Sequence, residues 1–276
     1  MKKLALAVSI LAITAAAASA ADMAPAPYTK APVVVPPVYN WTGFYIGANA
    51  GGAWGTSDPA TSTIFTPSGY FDPSSVPAIA AAGLQHINSS GFTGGGTAGY
   101  NWQAGSVVFG IEADFNYFGL KGSTSSTAVY PCCAPNTFTI NSSTSSDWLF
   151  TFRPRVGFLV TPALLLYGTG GLAVADVKSN FLFTDAFGAV ESAVSSTTRT
   201  GWTAGAGAEY ALMNGWSIKG EYLHVDLGSS SLTSTNLIIV GTPSPTNVFT
   251  HTIDWRSDIV RVGVNYKFNS PVVAKY

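Results

Sequence analysis

Full charges are scarce in this chain. Of its 276 residues, 13 are Lys or Arg and 14 are Asp or Glu, so charge makes up 10% of the sequence, against about 25% in an ordinary soluble domain. Much of the surface must therefore face something other than water. The near balance of signs leaves no basic patch and no acidic tail, which argues against nucleic acid as a partner. Long apolar runs are missing as well. The one candidate, 4–17, is shorter than the ~20 residues a spanning helix needs. Only helices and closed barrels satisfy every backbone group in lipid, so a membrane reading leaves the barrel. Histidine and cysteine are few. His86, His224 and His251 are isolated from one another, and the 2 cysteines stand side by side at 132 and 133. No metal-ligand spacing results, and no metal or cofactor is expected.

What is present is organised by position. Lys2-Lys3, the apolar run and Ala18-Ser19-Ala20 have the charged start, short apolar middle and small-residue exit of a secretory signal peptide, 1–20. Residues 21–40 are proline-rich and read as an extended periplasmic linker. From Trp41 the chain alternates. Near the end, Val260, Val262, Val264, Tyr266 and Phe268 point one way, while Arg261, Gly263, Asn265 and Lys267 point the other. The same two-sidedness occurs over 41–54, 92–102, 106–118, 147–160, 164–176, 201–212, 216–226 and 253–268. Each has the ~9–11 residues of a tilted membrane strand.

The connections sort into two kinds. Those at 103–105, 161–163 and 213–215 have tight-turn chemistry, whereas 55–91, 119–146, 177–200 and 227–252 are long and rich in Ser, Thr, Gly and Pro. Short turns alternating with long loops, over an even number of strands, predict an all-β fold: an eight-stranded antiparallel transmembrane β-barrel over 41–268, with short periplasmic turns, long extracellular loops and a tail at 269–276. Within the loops, Phe181-Leu182-Phe183 and 237–240 read as strand extensions or small hairpins. All seven tryptophans lie at strand ends, Trp41, Trp102 and Trp216 at the short turns and Trp54, Trp148, Trp202 and Trp255 at the long loops. Two lipid-interface girdles are predicted.

The polar faces carry the charges. Glu112, Asp114, Glu209 and Glu221 are expected inside with Arg153, Arg155, Lys219, Arg261 and Lys267. Eight strands enclose only enough space for side chains, so these groups are expected to pair across the lumen and close it; a gated narrow pore is the other reading. Catalysis is not expected. The His-x-Ser spacing of barrel deacylases is absent, since Asn88, Asp226 and Ile253 follow the three histidines by two. His86 and His251 read as loop residues and His224 as a strand end. For Cys132-Cys133, in an oxidising compartment, a bond to each other, an intermolecular bond and an unpaired couple all remain open.

The Ala-Asp start with its Pro-rich linker, YNWTGFYIGANAGGAW, LLLYGTGGLA, EYLHVDLG and VRVGVNYKF together resemble the small outer-membrane barrels of alphaproteobacteria labelled outer-membrane immunogenic proteins, whose membrane part is similar to the OmpA barrel. The resemblance implies an outer-membrane location in a Gram-negative bacterium, with lipid and lipopolysaccharide as surroundings and a role in envelope integrity and surface interaction. It admits a narrow porin, or a surface receptor of the haemin-binding type, as alternatives. It also implies that Gly263, Tyr266 and Phe268 form the signal read by the barrel assembly machinery, although this chain continues eight residues past Phe268. Finally, Ala21 resembles the residue by which such barrels are joined to peptidoglycan.

Overall fold

The computed structural model describes residues 39–268; the expected signal peptide, nearly all of the linker including Ala21, and the tail at 269–276 lie outside them. Eight long strands follow one another: β1 (Gly43–Ser57), β2 (Ile87–Ala104), β3 (Val107–Val129), β4 (Thr137–Thr161), β5 (Leu164–Asp185), β6 (Ala189–Ala211), β7 (Trp216–Ser234) and β8 (Phe249–Lys267). Each pairs antiparallel with its neighbours in sequence. β8 returns to β1 in a register from Tyr45↔Lys267 to Thr56↔Arg256. The sheet is thereby closed, and no long edge is left unpaired. The third tight turn follows from its residues. Asn214 and Gly215 both take positive φ, the conformation that two-residue hairpin turns demand.

The expected faces are observed. Outward apolar side chains run from the short turns up to Trp54, Phe92, Tyr117, Trp148, Val174, Trp202, Tyr222 and Val260, and there the outward faces turn to Ser, Thr, Asp and Lys. On β3 the apolar stretch is 107–117 and on β6, with Leu212 just past its end, it is 202–212, the length a tilted membrane strand needs.

The strands do not stop at this boundary. The residues expected as loops at 119–146 and 177–200 are largely continued ladder, from Lys121↔Ser145 to Val129↔Thr137 and from Asp176↔Thr198 to Thr184↔Val190. Their Ser and Thr composition suggested loop, but threonine is β-branched and suits a pleated surface that water can wet on one side. The true connections are 130–136, 186–188, 235–248 and 58–86. The last holds a short strand, Ala60–Thr63, which extends the ring beside β8, and a helix, α1 (Ser75–Gly83). Phe181-Leu182-Phe183 belongs to β5, and Ile238–Ile239 forms a small hairpin with Thr242–Pro243 while pairing with β6. Both are among the outcomes expected from sequence.

Two tryptophans correct the girdle expectation. Trp41 is 1% exposed and lies inside the short-turn end with Val108, Leu165 and Ala211, donating from Nε1 to the Pro162 carbonyl at 3.1 Å. Trp255 is 7% exposed and faces the interior among Phe118, Leu149, Leu223 and Phe181. Trp54, Trp102, Trp202 and Trp216 do face outward at the two boundaries.

Candidate functional site: the charged layer of the lumen

The interior is layered, and β8 lists the layers in order. From its C-terminal end its inward side chains are Lys267, Asn265, Arg261, Ile259, Ser257, Trp255, Ile253, His251 and Phe249. Above the Trp41 layer comes a charged one. Over it lies an apolar layer with Phe118, Leu149, Leu223 and Trp255, and at the far end a second apolar layer with Phe71, Ile79 of α1, Phe138, Phe183 and Phe249. Sequence reading anticipated the charges but not the two apolar layers.

In the charged layer the structure brings together eight of the nine residues singled out. Arg153 Nη2 lies 2.8 Å from both Glu112 Oε1 and Asp114 Oδ2, and its Nη1 lies 3.1 Å from Glu221 Oε1. Arg261 bridges Asp114 and Glu221 with donors at 3.0 and 2.6 Å. Lys219 Nζ donates to both oxygens of Glu112 at 2.8 Å. Arg155 reaches Glu209 Oε2 at 3.0 Å and Glu112 Oε2 at 3.5 Å. Four carboxylates thus face four cations, all buried. Remaining lone pairs are used too: Tyr45 donates to Glu112 at 2.7 Å, Tyr167 to Glu221 at 3.1 Å, Thr151 to Asp114 at 2.7 Å, and Ser217 and Asn265 to Glu209 at 2.6 and 2.8 Å. Buried ions remain charged only in such company.

These uncharged partners lie on the inward faces read from sequence, but only the ionised residues drew notice there. Aromatic rings hold the Arg155 guanidinium from two sides, with the Tyr45 and Tyr167 centroids 5.1 and 4.9 Å away. Gly99 makes room for one of them. A Cβ there would stand 2.3 Å from the Tyr45 hydroxyl. Lys267 stands apart from the layer, its ammonium 4.8 Å from the Tyr39 ring centroid and donating to the Asn40 carbonyl.

The residues expected to form an assembly signal sit at the seam between β8 and its neighbours. Phe268 stacks on Phe44 with centroids 5.7 Å apart and its N–H donates to the Phe44 carbonyl, while Tyr266 packs on Trp216 at 5.1 Å. Gly263 faces inward beside Lys219.

The histidines are engaged. His86 Nδ1 lies 2.6 Å from Asp58, a contact that raises its pKa, and His224 Nδ1 lies 2.8 Å from Asp258. His251, expected in a loop, is a buried residue of β8, because the ladder continues past the membrane. Its Nδ1 is 2.9 Å from Thr61 Oγ1 and its Nε2 is 3.3 Å from Glu191, which also accepts from Ser234. The group is sealed between the two apolar layers, Phe181 stacking on the imidazole at 4.5 Å. Cys132 and Cys133 are bonded to each other. Among the described residues, no cluster of three or more His, Cys, Asp or Glu is arranged to hold a metal ion.

Comparison with known proteins agrees with this architecture. Residues 5–268 match the family described as outer membrane protein beta-barrel domain. The 31 kDa outer-membrane immunogenic protein of Brucella melitensis is 39% identical over 272 residues, covering 97% of this chain and all of that one. The 25 kDa outer-membrane immunogenic protein of Brucella abortus is 28% identical over 88% of this chain and 86% of its own. Among solved structures, the outer membrane protein OprG of Pseudomonas aeruginosa is similar at 12% identity and a TM-score of 0.45, covering 84% of this chain and 98% of that one. The chain belongs to the outer membrane protein beta-barrel family, and its place is the outer membrane of a Gram-negative bacterium.

Proposed function

We propose that this chain is a structural barrel, closed to solutes by its own side chains, which contributes to envelope integrity and carries a folded tip into the surroundings of the cell. One observation carries the reading: in the charged layer every ionised group has a partner of opposite sign within 3.5 Å, and the layer is neutral. A conducting path needs ion sites weak enough to leave. Guanidinium groups shared between carboxylates are the opposite. The test is reconstitution of the folded protein into planar bilayers. Native protein is expected to give no steady conductance, and large, stable openings would favour the narrow-pore alternative.

No catalytic role is proposed. The Thr61–His251–Glu191 contacts have the spacing of a relay, but all three residues are buried beneath apolar layers. The haemin-receptor alternative gains nothing from the histidines, since His251 is enclosed and His86 and His224 already face aspartates. The partners proposed are outer-membrane lipid and lipopolysaccharide around the apolar band, the barrel assembly machinery at the β8 seam, and peptidoglycan through the amino group of Ala21. The last is tested by muramidase digestion of washed cell walls. An Ala21-headed peptide carrying a muropeptide is expected, and only free Ala21 peptides would refute the link.

A further inference from the structure

At the extracellular tip a cavity of about 320 Å³ opens between the 58–86 connection and the 130–136 and 186–188 turns. Its walls are Tyr70, Phe71, Tyr130 and Phe187, the Cys132–Cys133 disulfide, and Asp72 at the rim. The volume lies at the lower end of the about 300–1,000 Å³ of ligand pockets, which suits a small guest.

The chemistry of the guest follows from how the polar groups of the wall are already used. The Tyr70 and Tyr130 hydroxyls both donate to Asp185 Oδ2, at 2.6 and 2.9 Å, and Oδ1 of the same carboxylate accepts the N–H groups of Phe187 and Ala189 at 2.9 and 2.8 Å. Ser75 Oγ lies 3.6 Å from Cys132 Sγ. Few directed donors or acceptors are left for a sugar or an anion. What the cavity still offers is aromatic faces and negative charge. A tyrosine hydroxyl bound to a carboxylate makes its ring richer in electrons. Phe187 is 43% exposed and Tyr70 half-buried, so their rings face the cavity, while the buried Tyr130 and Phe71 back it; Asp72, exposed at the rim and accepting from Ser74 through Oδ1, adds a full charge. No Lys or Arg occurs in 58–86, 130–136, 186–188 or 235–248, so these connections bring no permanent cation of their own to the cavity.

We infer that this cavity binds a small organic ammonium ion of the choline type, held by cation–π contact with Tyr70 and Phe187 and by the charge of Asp72. Such a guest has the positive charge the rings attract and makes no directed hydrogen bonds through its methylated nitrogen.

The test uses the full-length folded chain in octyl glucoside, whose head group is uncharged, and follows choline by calorimetry and by saturation transfer to its methyl protons. Saturable binding is expected, with the neutral isostere 3,3-dimethylbutan-1-ol binding at least about five-fold more weakly. Phe187→Ala and Asp72→Asn alter exposed side chains, and each is expected to weaken choline by about three- to ten-fold while the heat-dependent gel mobility of the barrel stays as it is. Glycerophosphocholine separates two sources of the ion. Binding of both compounds assigns a lipid head group, and binding of choline alone assigns a free amine. Absence of saturation by choline, equal binding of the neutral alcohol, or unchanged affinity in both variants would overturn the proposal.

Discussion

Lys219 is the most informative place to perturb the lumen, because its ammonium has one ionic partner. It is buried, and both its short contacts, at 2.8 Å, are to Glu112. Lys219→Met removes that cation and leaves the charged layer with one excess negative charge. Glu112 keeps Arg153 at 2.8 Å, Arg155 at 3.5 Å and the Tyr45 hydroxyl, so it is stripped only in part. Breaking a buried pair costs about 3–5 kcal/mol, and the surviving partners place this change near the lower bound, about 3 kcal/mol. Glu112→Gln is expected to cost more, since it deprives three cations at once. The double variant restores neutrality, and the cycle is expected to show a coupling of about 2 kcal/mol. The assay is reversible urea unfolding in lipid vesicles, read by tryptophan emission and by gel mobility of unheated samples. An exposed pair in a water-filled lumen contributes only about 0–1 kcal/mol. Single costs below about 1 kcal/mol with an additive double variant would therefore refute both the packed layer and the closed barrel inferred from it.

Three further outcomes follow from the layered interior and the long strands. Quenching by brominated lipid should reach Trp54, Trp102, Trp202 and Trp216 and spare Trp41 and Trp255; single-tryptophan variants check this, and strong quenching of Trp255 would contradict its inward position. Burial, and then Asp185, push the Tyr70 and Tyr130 phenols well above their ordinary range. Because the unfolded chain ionises first, their contribution to stability is whole below about pH 10 and is lost as pH rises beyond it, and absorbance titration should find both neutral at about pH 11. Proteinase K added to intact cells should cut in 130–136 and 235–248 while leaving 119–129 and 137–146 uncut. Cleavage throughout 119–146 would show a loop where the structure has ladder.

The ring of eight strands was legible because lipid imposes a simple code: an apolar residue at every second position, for about ten residues. Above the membrane the code weakens. Water touches the outer face there, so Ser123-Thr124-Ser125-Ser126 and Ser142-Ser143-Thr144-Ser145 are polar in both directions and look like loop, although every one of them has a partner across the β3–β4 ladder. Only the aromatic Phe181 and Phe183 marked the continuation, and they do so because both point into the barrel. The charged layer was legible for the same reason as the strands, its members falling on inward positions of a chain with few charges. Its geometry was not. That Arg153 would serve three carboxylates, and Lys267 none, depends on strand tilt and register across the barrel, which alternation along a single strand does not encode.

The tryptophans show that where a residue lies along a strand and which way it points are separate questions. On β1 the outward residues Phe44, Ile46, Ala48, Ala50 and Trp54 have even numbers, so Trp41, an odd position, belongs to the inward set with Tyr45 and Asn49. On β8 the outward residues Val260, Val262 and Val264 are even as well, and Trp255 falls with Arg261 and Ile259 on the inner face. Parity thus separates these two rings from the outward ones without any coordinates; grouping all seven by their nearness to strand ends loses that distinction. The physical reason is that two different demands recruit tryptophan at a strand end. The lipid interface favours an amphipathic ring facing outward. A barrel that must fill its own ends favours the largest side chain facing inward, as Trp41 does at the short-turn end. Trp41→Ala should consequently behave as the loss of a packed core residue, with a cost of about 3–5 kcal/mol, whereas Trp102→Ala removes an interface contact and should cost clearly less. Equal costs in the same vesicles would mean that Trp41 faces lipid after all.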